Sequence, residues 1–310
     1  MKSTVKHYAP VALLMAGLVL LGALVTAAFG TVGLPREGKT VVTTSYPLYL
    51  AATRVAGESG AVRVVNLMGN AVGCAHDYQL TPQDRILLEQ ADLILLGAEG
   101  GGLLGELADT LPTVDTTAGI ELLCSDHDHG HDMEHDHDHG HADTYNEHLW
   151  MSPWRYRAQV NNVARIFSNL DAANAATYLA NGDAYGAEIA AMGDRLQAAA
   201  ATLPTTRCVI FHDSLAYLAE SLGLTVELAL SVGEDSGVAA ADLRAVQQVL
   251  TRYPDTLLLY DTQYDVRYGG VDGLVPARQV LALDTVVAGD RHGDDWLDAM
   301  EYNLTQLTGE

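Results

Sequence analysis

Short apolar runs rich in β-branched residues alternate with amphipathic stretches along most of this chain. Residues 40–44 (TVVTT), 62–67 (VRVVNL), 92–96 (DLILL) and 113–115 (TVD) have the length and composition of strands. A second series follows at 208–211 (CVIF), 225–230 (TVELAL), 256–260 (TLLLY) and 280–283 (VLAL). Helical patterns lie between them. Residues 81–90 (TPQDRILLEQ) open with a Thr cap ahead of Pro at the first helical position. Helix resumes after Pro153, and 214–222, 239–252 and 296–307 read as further helices. Continuous apolar strands alternating with helices predict mainly parallel sheets covered on both faces.

One long stretch separates the two series. Residues 172–201 are mostly Ala with Tyr, Leu, Ile and Met, contain no proline, and are closed by Pro204. As a helix they would span about 45 Å, although Gly182 and Gly186 inside it argue against continuity. The predicted fold is α/β: two lobes with mainly parallel sheets bridged by one long backbone helix. Loops at the carboxyl ends of the strands should line the cleft between the lobes. The corresponding division is 1–38 as a leader, 39–170 as the N-terminal lobe, 171–203 as the linking helix and 204–310 as the C-terminal lobe.

The leader has a short positive start at Lys2, Lys6 and His7, then an uncharged apolar stretch over 11–28. That exceeds the roughly 7–15-residue core of a cleaved signal and approaches the roughly 17–25 residues of a membrane span. Either the segment is cleaved after a small-residue pair, or it stays as an anchor with its positive end inside. Its length favours the anchor. No cysteine adjoins it for lipid attachment. The body is then expected outside the cytoplasmic membrane, at the cell surface or in the periplasm. An oxidising compartment permits one disulfide among Cys74, Cys124 and Cys208, with Cys74–Cys124 the candidate pair and three unpaired thiols the alternative.

Charge narrows the function. The 310 residues include 40 acidic and 17 basic, a formal net charge of −23, with no basic stripe. Nucleic-acid binding is excluded on that ground, and an acidic surface suits cations. Residues 126–141 read DHDHGHDMEHDHDHGH. This run holds His127, His129, His131, His135, His137, His139 and His141, lies in a loop over 125–144, and has too little apolar content to enter a core. It is suited to weak, multiple binding of divalent metal.

Three histidines outside the run sit at strand-end or pre-helix positions: His76 in GCAHDYQ, His148 in NEHLWMSP and His212 after CVIF. Asp284 ends VLALD in the same way. Three imidazoles and a carboxylate complete a tetrahedral set for Zn²⁺. Each also has a plainer reading. Loop histidines are often surface residues, Asp213 beside His212 could cap a helix, and Asp284 could be a turn residue. His7 and His292 are assigned no role. No HExxH or CxxC spacing is present.

The phrases TTSYPLYLAATRVAG, GCAHDYQLTPQD, NEHLWMSP, ATYLANGDAYGAEIAAM, FHDSLAYLAESLGL, SVGEDSGVAAADLRAVQQVL and LALD occur in that order. Together they resemble the metal-binding solute-binding proteins of bacterial ABC transporters, in the zinc-uptake type of cluster A-I. The resemblance covers 40–307. It implies metal ligands at His76, His148, His212 and Asp284, with a His- and acid-rich loop before the second ligand. Manganese and iron members carry glutamate where this chain has His212, and a nitrogen-rich set favours zinc. Three departures stand out: the lipid-anchored cysteine is missing, Cys74 could compete as a soft ligand, and Asp261 replaces the usual glutamate. Asp261 and Glu147 are read as groups orienting a histidine.

The expected function is an extracytoplasmic, monomeric receptor that binds Zn²⁺ as transported cargo and delivers it to an ABC permease, without catalysis. The alternatives are an extracellular metal buffer or adhesion protein, or a receptor of the same fold for manganese or another divalent metal. A zinc hydrolase using Glu147 or Asp213 as base lacks supporting motif spacing.

Overall fold

The computed structural model describes residues 38–69, 78–125, 145–230, 238–263, 271, 273–289, 292 and 295–309. The leader, Cys74, His76 and the histidine run lie outside the described residues. The first lobe contains β1 (Lys39–Thr43), α1 (Tyr46–Ala56), β2 (Val62–Asn66), α2 (Pro82–Glu89), β3 (Leu93–Leu96) and β4 (Thr113–Asp115). Two helices follow, α3 (Pro153–Leu170) and α4 (Ala175–Ala200). The second lobe contains β5 (Arg207–Ile210), α5 (Ala216–Ser221), β6 (Thr225–Ala229), α6 (Ala240–Arg252), β7 (Leu257–Asp261), β8 (Val280–Leu283) and α7 (Trp296–Thr308).

Each expected strand forms within one residue of its predicted bounds. At α2, Thr81 accepts from the Asp84 N–H while Asp84 accepts from the Thr81 N–H, closing a capping box around Pro82. The pattern did not predict α1. Seven of its eleven residues are buried, so its apolar positions cover most of its faces and blur the helical period.

The two sheets have the same plan. Their strand orders are β2-β1-β3-β4 and β6-β5-β7-β8, and the pairs are all parallel. One face of each sheet has its own apolar layer, built around Val42, Leu88 and Ile94 in the first lobe and Val209, Val246 and Leu258 in the second. The opposite faces share a single core. It joins Val41 and Leu95 of the first sheet to Ile210, Leu257 and Leu281 of the second through residues of α1, α3, α4 and α7.

Among the described residues, no helix is long and apolar enough to cross a membrane. Cys124 and Cys208 are free, so the Cys74–Cys124 bridge considered from sequence is not formed. Burial pushes the Cys208 thiol up to about 12, which keeps it unreactive.

The glycines in α4 explain why it does not break. A Cβ on Gly182 would lie 2.7 Å from the Ala164 Cβ, and one on Gly193 would lie 2.8 Å from the Pro153 Cβ. They let α3 approach α4 closely along one face. Gly182→Ala should therefore destabilise the protein by about 1–3 kcal/mol through overpacking, despite its better helix propensity. Gly186 faces the flexible Arg157 side chain at 3.3 Å. Gly186→Ala should be close to neutral. Urea unfolding of both variants checks the contrast, and equal losses would remove the close-packing explanation.

Candidate metal centre

In each sheet the first strand lies between the next two, β1 between β2 and β3 and β5 between β6 and β7. Such a switch point leaves a crevice at the carboxyl ends of the strands, where open α/β sheets place ligands. Thr44 follows β1, Gly97 and Glu99 follow β3, His212 follows β5, Asp261 ends β7 and Asp284 follows β8. His148 comes from the segment that enters α3, preceding the short turn Leu149–Met151.

His148, His212 and Asp213 each place a donor atom within 4.8 Å of the others. The two rings meet edge to face with centroids 5.6 Å apart. His148 is buried and His212 half-buried. Asn146 sets the orientation of His148. The Asn146 amide nitrogen donates to the Asp213 carbonyl at 2.8 Å, so its Oδ1 is the acceptor. That oxygen takes the His148 backbone N–H at 2.9 Å and faces His148 Nδ1 at 3.0 Å. The proton of a neutral His148 therefore sits on Nδ1, which puts the ring's lone pair on Nε2. The Glu147 carboxylate stands 3.9 Å from that Nε2.

His212, not Asp213, caps the short turn Asp213–Leu215. Its Nδ1 accepts from the Ser214 N–H at 3.1 Å. Ser214 also donates its hydroxyl to Asp261 at 2.8 Å. Asp261 is buried and further holds the Gln263 N–H and the Thr285 hydroxyl. It thus reaches His212 through Ser214.

Asp284 is buried and lies outside the His148–His212–Asp213 cluster. Its Oδ1 accepts from Gln263 Nε2 at 2.7 Å and from the Val286 N–H at 2.8 Å. Its Oδ2 faces His292 Nδ1 at 2.7 Å. Asn303 of α7 clamps its backbone at both N–H and C=O. Val286, a β-branched residue, is held at φ 59°, a strained conformation fixed next to this carboxylate. His292 stacks on Tyr302 with centroids 3.6 Å apart. His76 and the run histidines lie outside the described residues.

Sequence reasoning overlooked Glu99. Its carboxylate folds back onto the end of β3, accepting the Gly97 N–H at 2.8 Å and the Thr44 hydroxyl. Its other oxygen, Oε2, is buried without a hydrogen-bond partner. A Cβ at position 97 would lie 2.4 Å from that oxygen, so a larger residue there would push the Glu99 carboxylate out of this position. The available signal was one acid in a glycine-rich loop, GAEGGG, directly after a buried strand.

Burial, reinforced by the charge of nearby Glu147, raises the Glu99 carboxyl to about 7. Burial, with a smaller contribution from Asp284, raises Asp261 to about 7. The unfolded chain loses both protons at ordinary carboxylate values, while the folded protein keeps them until near neutrality. Folding therefore takes up protons across that window, and stability falls as pH rises through it. The melting temperature of the metal-free protein should drop between about pH 5 and about pH 7.5. Glu99→Gln should flatten that slope and raise the melting temperature at the alkaline end. An unchanged slope would show that Glu99 titrates normally.

The chain is 31% identical to the high-affinity zinc uptake system protein ZnuA of Paracoccus denitrificans over 250 residues, covering 71% of this chain and 76% of that protein. Its fold is similar to that of a Zn(II)-bound mutant variant of AdcAII from Streptococcus pneumoniae, with a TM-score of 0.69 at 18% identity, covering 89% of this chain and 99% of that one. It is also similar to FpvC of Pseudomonas aeruginosa in complex with Mn²⁺, with a TM-score of 0.67 at 20% identity, covering 88% and 98%. The model of the family described as zinc-uptake complex component A, periplasmic, matches residues 41–309. With that match spanning both lobes and the helices between them, the chain belongs to the family of periplasmic zinc-uptake component A proteins.

Proposed function

We propose that this protein is an extracytoplasmic receptor that captures Zn²⁺ and hands it to an ABC permease in the membrane. The observation that carries this reading is the pairing of His148 with His212 at the second lobe's switch point. One imidazole is held by Asn146 with Nε2 as its ligating atom, and the other stands edge-on to it. Nitrogen donors select zinc over manganese, which prefers carboxylate oxygen. Support also comes from the relative in Paracoccus denitrificans, a zinc uptake protein.

The proposed ligands are His76, His148, His212 and Asp284, with Glu147 and Asp261 holding the histidines in place. Taking Zn²⁺ at Asp284 means exchanging its contact with His292 for the ion. Residues 39–170 and 204–310 act as the two lobes about the link at 171–203. The leader holds the body outside the cytoplasmic membrane, as an anchor or until cleavage. The receptor works as a monomer, and its net charge of −23 concentrates cations around it. The run at 126–141 binds further metal weakly, in addition to the tight site.

Native mass spectrometry with a competing chelator tests this. The intact chain should hold one tight Zn²⁺ together with several weak equivalents. Removing 126–141 should abolish the weak equivalents and keep the tight one. Replacing His76, His148 and His212 together by Ala should do the reverse. Tight binding that survives the triple replacement would make the run the functional site and the protein a metal buffer. Acidification should release the tight ion, because protonated imidazole cannot ligate.

A further inference from the structure

Asp213 stands behind both histidines. Its Oδ1 lies 3.2 Å from His212 Nδ1 and 3.9 Å from His148 Nδ1. Both approaches are to the Nδ1 edge. On His148 that edge already donates to Asn146, so metal is taken on the opposite edge, at Nε2. The Asp213 backbone is fixed as well, since its carbonyl accepts from Asn146 Nδ2 at 2.8 Å. A single amide thus holds His148 directly and Asp213 through the main chain.

His212 Nδ1 lies between two groups with opposite demands. The Ser214 N–H, 3.1 Å away, needs a lone pair on that nitrogen. The Asp213 carboxylate, 3.2 Å away, needs a proton on it. One ring nitrogen cannot satisfy both. When Ser214 prevails, a neutral ring carries its proton on Nε2 and offers no lone pair there. When Asp213 prevails, the proton sits on Nδ1 and Nε2 can ligate.

We propose that Asp213 is a positioning residue for zinc capture. Its carboxylate draws the His212 ring proton to Nδ1, which turns Nε2 into a ligand, while the Ser214 N–H stabilises the opposite, non-ligating tautomer in the empty site. Zinc binding at His212 then moves one proton from Nε2 to Nδ1, forms the Zn–Nε2 bond and releases no proton from that ring. The same carboxylate adds negative charge behind His148. The inference rests on the zinc-receptor reading and deepens it.

The test uses the full chain with Asp213→Ala, Asp213→Asn and Asp213→Glu. In metal-free protein, long-range ¹H–¹⁵N spectra of the histidine rings should show the His212 proton shifting to Nε2 in the Ala variant. The tight zinc affinity should fall by about 10–100-fold in the Ala and Asn variants and recover in part with Glu. Melting temperatures of the Asn and Glu variants should stay near that of the unaltered chain. Affinity within twofold of the unaltered chain, with an unchanged tautomer, would overturn the proposal. So would a zinc-loaded crystal structure with an Asp213 oxygen about 2.0–2.2 Å from the ion, which would make Asp213 a ligand. If the unaltered chain held no tight zinc while the tautomer still followed Asp213, the receptor reading would fail, and only the placing of the His212 ring proton by Asp213 would stand.

Discussion

The close packing of α3 on α4 carries both sheets. Glycine at 182 and 193 brings the two helix backbones together, and the core around them runs unbroken from Val41 of the first sheet to Leu281 of the second. Apolar surface costs roughly 25 cal/mol per Å² to expose, so opening even about 400 Å² of this core would cost roughly 10 kcal/mol. That is comparable to the whole stability of a typical folded protein, about 5–15 kcal/mol. A wide swing of one lobe away from the other would therefore approach unfolding.

The frame is also stitched by hydrogen bonds beside the site. Tyr217 of α5 donates to the Asn146 carbonyl and accepts from the Leu123 N–H. Trp150 donates to the Thr285 carbonyl after β8 and accepts, at its own carbonyl, from Trp296 of α7. These bonds join the segment bearing His148 to the lobe bearing His212 and Asp284. Two imidazoles from different parts of the chain are thus held close together, as the proposed zinc site requires. Preorganisation of this kind removes much of the ordering cost from binding.

The strands and the positions of His212 and Asp284 were legible in the sequence for one reason. A buried parallel strand is a continuous apolar run, so the polar residue ending it marks the crevice. The helix α1 was hidden because a helix buried on most sides has little contrast between its faces. The contacts of Asn146 and the proposed role of Asp213 were hidden because they depend on where a neighbouring lobe's side chain points, which no local pattern records. Glu99 was hidden because a buried, partly unsatisfied carboxylate is an unfavourable arrangement that propensity reasoning discards. His292 looked like a residue of a polar loop, and only its pairing with Asp284 gives it a place.

That pairing bears on how cargo could be held and yet released. A buried carboxylate without partners is costly, so an empty site must supply donors to Asp284, and Gln263, the Val286 N–H and His292 do so. Under the proposed ligand set, an arriving ion gains Asp284 only by giving up the His292 contact. The net affinity is the metal–carboxylate interaction less the bonds it replaces, and His292 can return when the ion leaves. A resident structural zinc would favour a carboxylate with no such competitor. For a receptor that must surrender its ion to a permease, a returning donor lowers the cost of emptying the site without weakening the frame that aims the two imidazoles.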